Sequence, residues 1–125
     1  MIALGLWIFT VAAVLVILLH LVLVAGAPIG FMTMGGRNPG VLPASARKSS
    51  LAQAVIVACF IVIVWDTAGR ISFMQGAPWM IWVVVAVSAV SLVANTITPS
   101  VRERYFGIPA TLGMLGGSLL VALGD

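Results

Sequence analysis

The chain has 125 residues, of which 62% are hydrophobic and 7% are charged, and its formal net charge is +3. Roughly a quarter of the residues in a soluble domain are charged, so this composition excludes an ordinary soluble fold and indicates a one-domain integral membrane protein. The cations do not cluster on a polar face, which excludes a nucleic-acid-binding protein. The single cysteine, Cys59, lies inside an apolar segment and is interpreted as a small apolar filler, not a metal ligand.

Four apolar segments follow one another along the chain, with predicted bounds of 5–27, 45–67, 79–96 and 106–123. A helix of about 20 apolar residues crosses a bilayer, and each segment meets or approaches that length. The second segment is long enough if its helix begins near Ser45, directly after Pro43, where serine can act as the cap. The sequence therefore predicts an all-α fold: four transmembrane helices in an up-down bundle that forms a single domain over 1–125.

The first segment carries one ionisable side chain, His20. It lies roughly 10 Å from the end that meets the first loop, at about 1.5 Å per residue. An ionisable group at that depth is costly and marks a site for protons or a ligand. The alternative is a neutral imidazole that hydrogen-bonds to a neighbouring helix.

The first loop lies within AGAPIGFMTMGGRNPGVLPASARKSS, residues 25–50, and combines glycine and proline with six apolar residues. Flexible linkers are polar, so we predict a structured cap that folds back on the end of the bundle. The predicted cap residues are Pro28, Gly30, Gly35, Gly36, Arg37 and Arg47. The glycines permit positive φ and close backbone approach, and the arginines are expected to contact anionic lipid headgroups. A phosphate-binding loop is excluded, because neither its motif nor its strand–helix context is present.

Polar and small residues recur at helical spacing in the later segments. Ser88, Ser91 and Asn95 share one face of the third segment at i, i+3 and i+7. Small and hydroxyl side chains let helices approach closely in lipid, so one interpretation is a packed bundle interior. The other is a thin polar crevice in the loop-side half, with candidate ligand or pathway residues His20, Gln53, Ser91, Asn95 and Thr111.

The fourth segment contains Gly113-x-x-x-Gly117, a spacing typical of helix-packing faces. The two glycines are predicted to contact either another helix of the bundle or a second copy of the protein. At the start of this segment, Glu103 is predicted to pair with Arg104 or Arg47 and so to hold the two loops on this side together.

The loop charges predict the orientation of the bundle. The first and third loops hold Arg37, Arg47, Lys48, Arg102 and Arg104, whereas the second loop holds only Arg70. Cytoplasmic loops carry the excess of lysine and arginine, so the first and third loops are predicted to be cytoplasmic and both termini outside. All four tryptophans then fall in the outer leaflet, where the interface favours their amphipathic rings.

A loose pattern of residues extends over two parts of the chain. Its first part is Gly26-Ala27-Pro28-x-Gly30, Gly35-Gly36, Leu42-Pro43 and Arg47, and its second part is Asn95, Ser100, Glu103-Arg104 and Pro109. It resembles that of an uncharacterised family of small bacterial four-helix membrane proteins. The resemblance covers most of the chain, and Ile29 departs from it where an aromatic residue is usual. It implies the four-span fold in a bacterial cytoplasmic membrane and supplies no activity.

Two functions are compatible with these features. The first is a homo-oligomeric transporter for an ion or small molecule, with the polar crevice in its cytoplasmic half. The second is an accessory or structural subunit that binds a larger membrane complex or lipid. An enzyme is disfavoured, because no H-E-x-x-H, C-x-x-C or G-x-S-x-G motif and no carboxylate pair suited to acid–base work occurs in the sequence. No cofactor, metal or nucleic-acid partner is predicted.

Overall fold

The computed structural model describes residues 1–72 and 78–124. This part of the chain forms four α-helices: α1 Ile2–Val24, α2 Ala44–Thr67, α3 Met80–Ile97 and α4 Val101–Leu123. Two short 3-10 turns, Gly30–Met32 and Met34–Gly36, lie in the loop between α1 and α2. All four α-helices are long and apolar enough to cross a membrane. The prediction of an all-helical protein with four membrane-spanning segments is therefore confirmed for the described residues.

The ends of the helices differ from the predicted bounds for local reasons. α1 ends at Val24 instead of residue 27, because Gly26 adopts a left-handed conformation with φ of +104° and closes the helix. α4 begins at Val101, five residues before the predicted bound. There the Ser100 hydroxyl accepts a hydrogen bond from the Glu103 backbone N–H and caps the helix. α2 begins at Ala44, one residue before the predicted start, with Pro43 in the cap position and no capping side chain among the described residues, so the prediction that Ser45 caps this helix is wrong.

The order of the helices around the bundle is α2, α1, α4, α3. α1 packs against α2 and α4, and α4 also packs against α3, whereas α2 and α3 touch only lightly. We call this light contact the α2–α3 seam. We call the end of the bundle that carries the α1–α2 loop and residues 98–100 the loop end. The half of the bundle away from the loop end is filled by a core that includes Leu6, Phe9, Val64 and Val84.

α1 and α4 approach each other closely at their glycines. A Cβ atom on Gly117 would lie 2.6 Å from the Phe9 backbone nitrogen and 2.7 Å from the Gly5 carbonyl oxygen. A Cβ atom on Gly113 would lie 3.2 Å from that of Ala12. The face formed by Gly113 and Gly117 is thus turned toward α1 of the same chain.

The α1–α2 loop is folded and rests on the loop end. The Gly30 N–H donates to the Gly40 carbonyl at 2.9 Å, and the Phe31 N–H donates to the Pro39 carbonyl at 3.3 Å. Leu42 is buried and packs with Leu23 and Ala46. These bonds and contacts hold the loop across the ends of α1 and α2, where it closes one side of the bundle.

The loop is also fixed to the start of α4. The Ser100 hydroxyl donates to the Phe31 carbonyl, and the Arg102 guanidinium carbon lies 4.7 Å from the centroid of the Phe31 ring. A cation over an aromatic face is attracted by the ring quadrupole. These contacts attach the loop to the first turn of α4.

Candidate functional site

A cavity of about 250 Å³ lies between the helices in the half nearest the loop end. All four helices and the loop contribute to its wall. The polar residues on the wall are His20, Thr33, Gln53, Ser88, Ser91, Asn95, Glu103 and Thr111. The structure thus brings together all five residues predicted as ligand or pathway candidates. Their role in binding stays a prediction.

His20 on the cavity wall is held by a residue of α2. Its Nδ1 atom lies 2.6 Å from the hydroxyl oxygen of Ser50, and both side chains are buried. The Ser50 hydroxyl also lies 3.5 Å from the His20 carbonyl oxygen. Ser50 is fully buried, so it orients the imidazole and is not reachable as a nucleophile. The other ring nitrogen, Nε2, has no hydrogen-bond partner in the described part of the chain.

Ser88 on α3 is buried without a hydrogen-bond partner. Only 1% of the residue is exposed, and its hydroxyl has no partner among residues 1–72 and 78–124. Other hydroxyls in these helices bond to carbonyls of their own helix, as Thr10 does to Leu6 and Thr111 does to Gly107. Ser88 instead lies on the cavity wall with its hydrogen-bonding capacity unused.

Asn95 and Thr111 present acceptor atoms to the cavity. The Asn95 amide nitrogen donates to the Ser91 carbonyl at 2.8 Å, so its oxygen is left as an acceptor. That amide packs on Gly107, where a Cβ atom would overlap it. The Thr111 hydroxyl donates its proton to the Gly107 carbonyl at 2.6 Å, which leaves only lone pairs for another partner.

Glu103 is bound to neutral groups instead of an arginine. Its Oε1 atom accepts from the Gly35 backbone N–H at 3.1 Å and from the Thr98 hydroxyl. In the part of the chain that the structure describes, no arginine or lysine forms an ion pair with this carboxylate. Glu103 does join the α1–α2 loop to α4, but through a backbone amide that the left-handed turn at Gly35 presents to it.

The arginines predicted as partners of Glu103 have other surroundings. Arg47 lies under the loop beside Gly26, and its Nε atom is buried without a hydrogen-bond partner among the described residues. The side chain of Arg104 is half-buried. The predicted ion pair is replaced because the folded loop offers Glu103 a backbone amide donor at short range. Binding to this amide does not require a long arginine side chain to become ordered.

The cavity wall, in the described part of the chain, includes none of the six predicted cap residues. Pro28 is exposed and Gly30 is buried. Gly30 lies so close to the Asn38 carbonyl that a Cβ atom at this position would overlap it. Gly36 lies close to Ser100, at the start of α4. The loop residues that reach the cavity wall are instead Met32 and Thr33.

The cavity adjoins a wider depression of about 590 Å³ at the loop end of the α2–α3 seam. The two share Thr33, Gln53, Ser91, Asn95 and Glu103. Arg37 and Pro99 contribute only to the outer part. We call this depression the mouth. A solute that enters between α2 and α3 at the loop end would meet Glu103 first and Ser88 deeper inside.

The wall of the cavity combines polar groups with apolar surface. Residues 1–72 and 78–124 contain no group of three or more His, Cys, Asp or Glu side chains placed to hold a metal ion. The wall offers a carboxylate, amide and hydroxyl oxygens and one imidazole nitrogen, interleaved with aromatic and aliphatic carbon. Such mixed, mostly apolar cavities with a few placed polar groups are typical of small-molecule sites.

Three polar wall residues, Thr33, Ser88 and Glu103, are absent from the predicted set of ligand residues. Ser88 shares the helix face of Ser91 and Asn95, so its spacing was a usable signal for the cavity. Glu103 follows Ser100 by three residues in a capping-box pattern, which favours a purely local role. Comparisons of the chain with protein-family models, curated proteins and solved structures found no match, so the site rests on its own geometry.

Proposed function

We propose that this chain is a small-molecule transporter of the bacterial cytoplasmic membrane that binds its solute in the cavity at the loop end. The observation that carries the proposal is the set of polar side chains that line both the cavity and its mouth, among them Gln53, Asn95 and Glu103. Ionisable and polar groups inside a membrane protein are costly and mark the paths or sites of solutes. A polar solute that contacts these groups explains why they occupy this half of the bundle.

The two halves of the bundle support a binding step with access from one side. The cavity and its mouth reach the loop end, whereas the other half is closed by buried side chains such as Phe9 and Val64. The cation-rich loops favour a cytoplasmic location for the loop end. In this proposal the solute exchanges with the cytoplasm through the mouth.

The proposed transporter is a homo-oligomer. A continuous path through one chain would have to displace the packed core around Phe9, Val64 and Val84. The α2–α3 seam is the least closed side of the bundle and adjoins the cavity. A second copy placed along this seam would let a pathway run between chains without opening the core.

Uptake into proteoliposomes tests the transport proposal. We expect protein-dependent uptake of at least one small polar solute from a panel of methylammonium, glycerol and acetate. Ser91→Trp should abolish it, because the indole would fill the cavity wall beside Asn95. Ala86→Trp is the matched control, since Ala86 lies exposed on the same helix, and it should leave uptake unchanged. Equal uptake by vesicles with and without protein would overturn the proposal.

Mass measurement in mild detergent separates this proposal from the accessory role. A defined homo-oligomer of the 13.0 kDa chain supports the transporter. Co-purification with a stoichiometric larger membrane protein supports an accessory subunit instead. In that case the cavity-filling variant Ser91→Trp should leave the association intact.

A further inference from the structure

We infer that the cavity takes a small organic cation, with a protonated amine or a quaternary ammonium group whose positive end lies against Glu103. This inference rests on the proposed function, because it names the solute class of the same cavity. Three features of the wall carry it: a carboxylate without an ion-pair partner among the described residues, two aromatic rings and a small volume.

The carboxylate comes first, because Glu103 lines both the cavity and its mouth. Its described partners are the Gly35 N–H and the Thr98 hydroxyl, which bind it without cancelling its charge. Both bonds are made to Oε1, and Oε2 has no hydrogen-bond partner among residues 1–72 and 78–124. Arg37 at the mouth is exposed, and its Nε atom donates to the Met34 carbonyl. A negative charge beside a low-dielectric cavity attracts a cation more strongly than the same charge does when water surrounds it.

The hydrogen-bonding groups deeper inside can accept from a ligand that donates. Asn95 donates one of its two amide N–H groups to the Ser91 carbonyl, and its amide oxygen can accept. The Thr111 hydroxyl donates its proton to the Gly107 carbonyl and can therefore only accept from a ligand. The wall also contains donors, the amide of Gln53 and the hydroxyl of Ser91, so the charge of Glu103 and not the hydrogen bonding selects a cation.

Two aromatic rings, Phe60 and Phe106, lie on the same wall. A cation over an aromatic face gains about 0.5–2 kcal/mol, depending on how far it is desolvated. The cavity volume of about 250 Å³ is below the roughly 300–1,000 Å³ of sites for drug-sized ligands. The ligand is therefore small, of the size of ethanolamine or choline.

An ammonium group can come from two sources in a membrane. One is a free amine that enters from the aqueous side of the mouth. The other is the headgroup of a lipid that reaches the mouth along the α2–α3 seam, which adjoins it. The chemistry is shared, so the test must separate the two.

The test is calorimetric titration of the intact protein in nanodiscs made of phosphatidylglycerol, a lipid without an amine. The probes are ethanolamine, choline, acetate and glycerol. We expect ethanolamine or choline to bind and acetate and glycerol not to. Glu103→Gln should weaken amine binding by about tenfold or more, because it removes a charge-assisted hydrogen bond. A glutamine oxygen can still accept from Gly35 and Thr98, so the loop stays attached.

Asp66→Asn is the matched control, since it removes the same charge from the end of α2 farther from the loop, and it should leave the affinity unchanged. The probe series on the unmodified protein decides the solute class even if Glu103→Gln fails to fold. Loss of ethanolamine affinity in discs that contain phosphatidylethanolamine identifies the lipid headgroup as the ligand, and unchanged affinity identifies a free amine.

Three results would count against the inferences, and they differ. Binding of acetate or glycerol in preference to the amines overturns the cation class while the binding cavity stands. Amine binding that Glu103→Gln leaves unchanged overturns the role of the carboxylate. No binding of any probe overturns the proposed function itself.

Discussion

At the scale of single residues, the pair of His20 and Ser50 shows how a buried polar contact can order a cavity. The two residues are 30 positions apart and join α1 to α2. A buried polar group without a hydrogen-bond partner costs free energy, and here each side chain serves as the partner of the other. Because Ser50 holds Nδ1, the ring has one orientation on the cavity wall. The contact therefore links helix packing to the shape of the site.

The pair should be measurable as a coupling energy. We expect Ser50→Ala and His20→Ala each to lower the free energy of unfolding, with a coupling of about 0.6–1.7 kcal/mol in a double-mutant cycle. The measurement is reversible unfolding in mixed micelles. Ser118→Ala is the control: Ser118 is also fully buried, but its hydroxyl bonds to Leu115 of its own helix. A loss for Ser118→Ala as large as for Ser50→Ala would contradict the inter-helix role.

His20 allows a second measurement that separates binding from packing. If the imidazole contacts the solute, His20→Ala abolishes uptake per folded protein, whereas Ser50→Ala, which loses the same hydrogen bond, does not. If it serves only the bond to Ser50, the loss appears as reduced stability, and Ser50→Ala reproduces it. We expect the first result, because Nε2 has no partner in the described residues and His20 lines the cavity. Uptake per folded protein is the readout.

At the scale of elements, the α1–α4 contact fixes the geometry of the bundle. Gly5 and Gly117 bring the two backbones together on the side of the core. In lipid, the hydrophobic effect does not drive helices together, because the lipid tails are as apolar as the side chains. Close approach of two backbones stabilises the helix pair through van der Waals contacts instead. Since α4 also carries Glu103, Gly107 and Thr111, the register of this contact sets where those residues meet the cavity.

Substitution of neighbouring glycines tests this contact. Gly117→Ala should destabilise the protein by about 1–3 kcal/mol or more, because its Cβ atom would meet backbone atoms of Gly5 and Phe9 that cannot turn away. Gly116→Ala should be neutral or gain up to about 1 kcal/mol of helix propensity, since no atom lies within 4 Å of its Cβ position. Thermal unfolding in detergent compares the two. Equal melting temperatures would show that α1 and α4 do not touch here.

The α1–α2 loop is an element in its own right, and Gly36 tests how it is seated. Its φ is +73°, and a Cβ atom would lie 3.0 Å from that of Ser100, the cap of α4. Gly36→Ala therefore adds strain of about 1–3 kcal/mol. We expect the loop to open more often and trypsin to cleave after the exposed Arg37 at least about fivefold faster, since 1.4 kcal/mol is a tenfold change in an equilibrium.

Gly40→Ala provides the matched control for the loop. Gly40 has no neighbour within 4 Å of its Cβ position and no positive φ, so the substitution should leave the cleavage rate unchanged. Equal acceleration in both variants would mean that Gly36 is not constrained by Ser100. The cleavage rate is followed by mass spectrometry of the intact chain.

At the scale of the whole molecule, the number of helices and their membrane-spanning character could be predicted from apolar length alone. The order of the helices could not, because each helix is apolar on nearly every side. Nothing in such a pattern states that α1 lies beside α4, or that α2 and α3 barely touch. The polar stripe of Ser88, Ser91 and Asn95 did indicate a shared face. The partner of Glu103 could not be foreseen, since it depends on the left-handed turn at Gly35.

The orientation of the whole bundle is the remaining prediction, and two cysteines test it. In a Cys59→Ala background, Ser45→Cys at the start of α2 and Ile71→Cys beyond the other end of α2 place exposed thiols at opposite ends. Each lysine or arginine near the anionic surface of the cytoplasmic leaflet contributes about 1 kcal/mol of electrostatic attraction. Five of the six cations lie at the loop end. We therefore expect an impermeant maleimide to label Ile71→Cys in intact cells and Ser45→Cys only in inverted vesicles. Labelling of Ser45→Cys in intact cells would reverse the orientation, and the cavity would then exchange its solute with the outside.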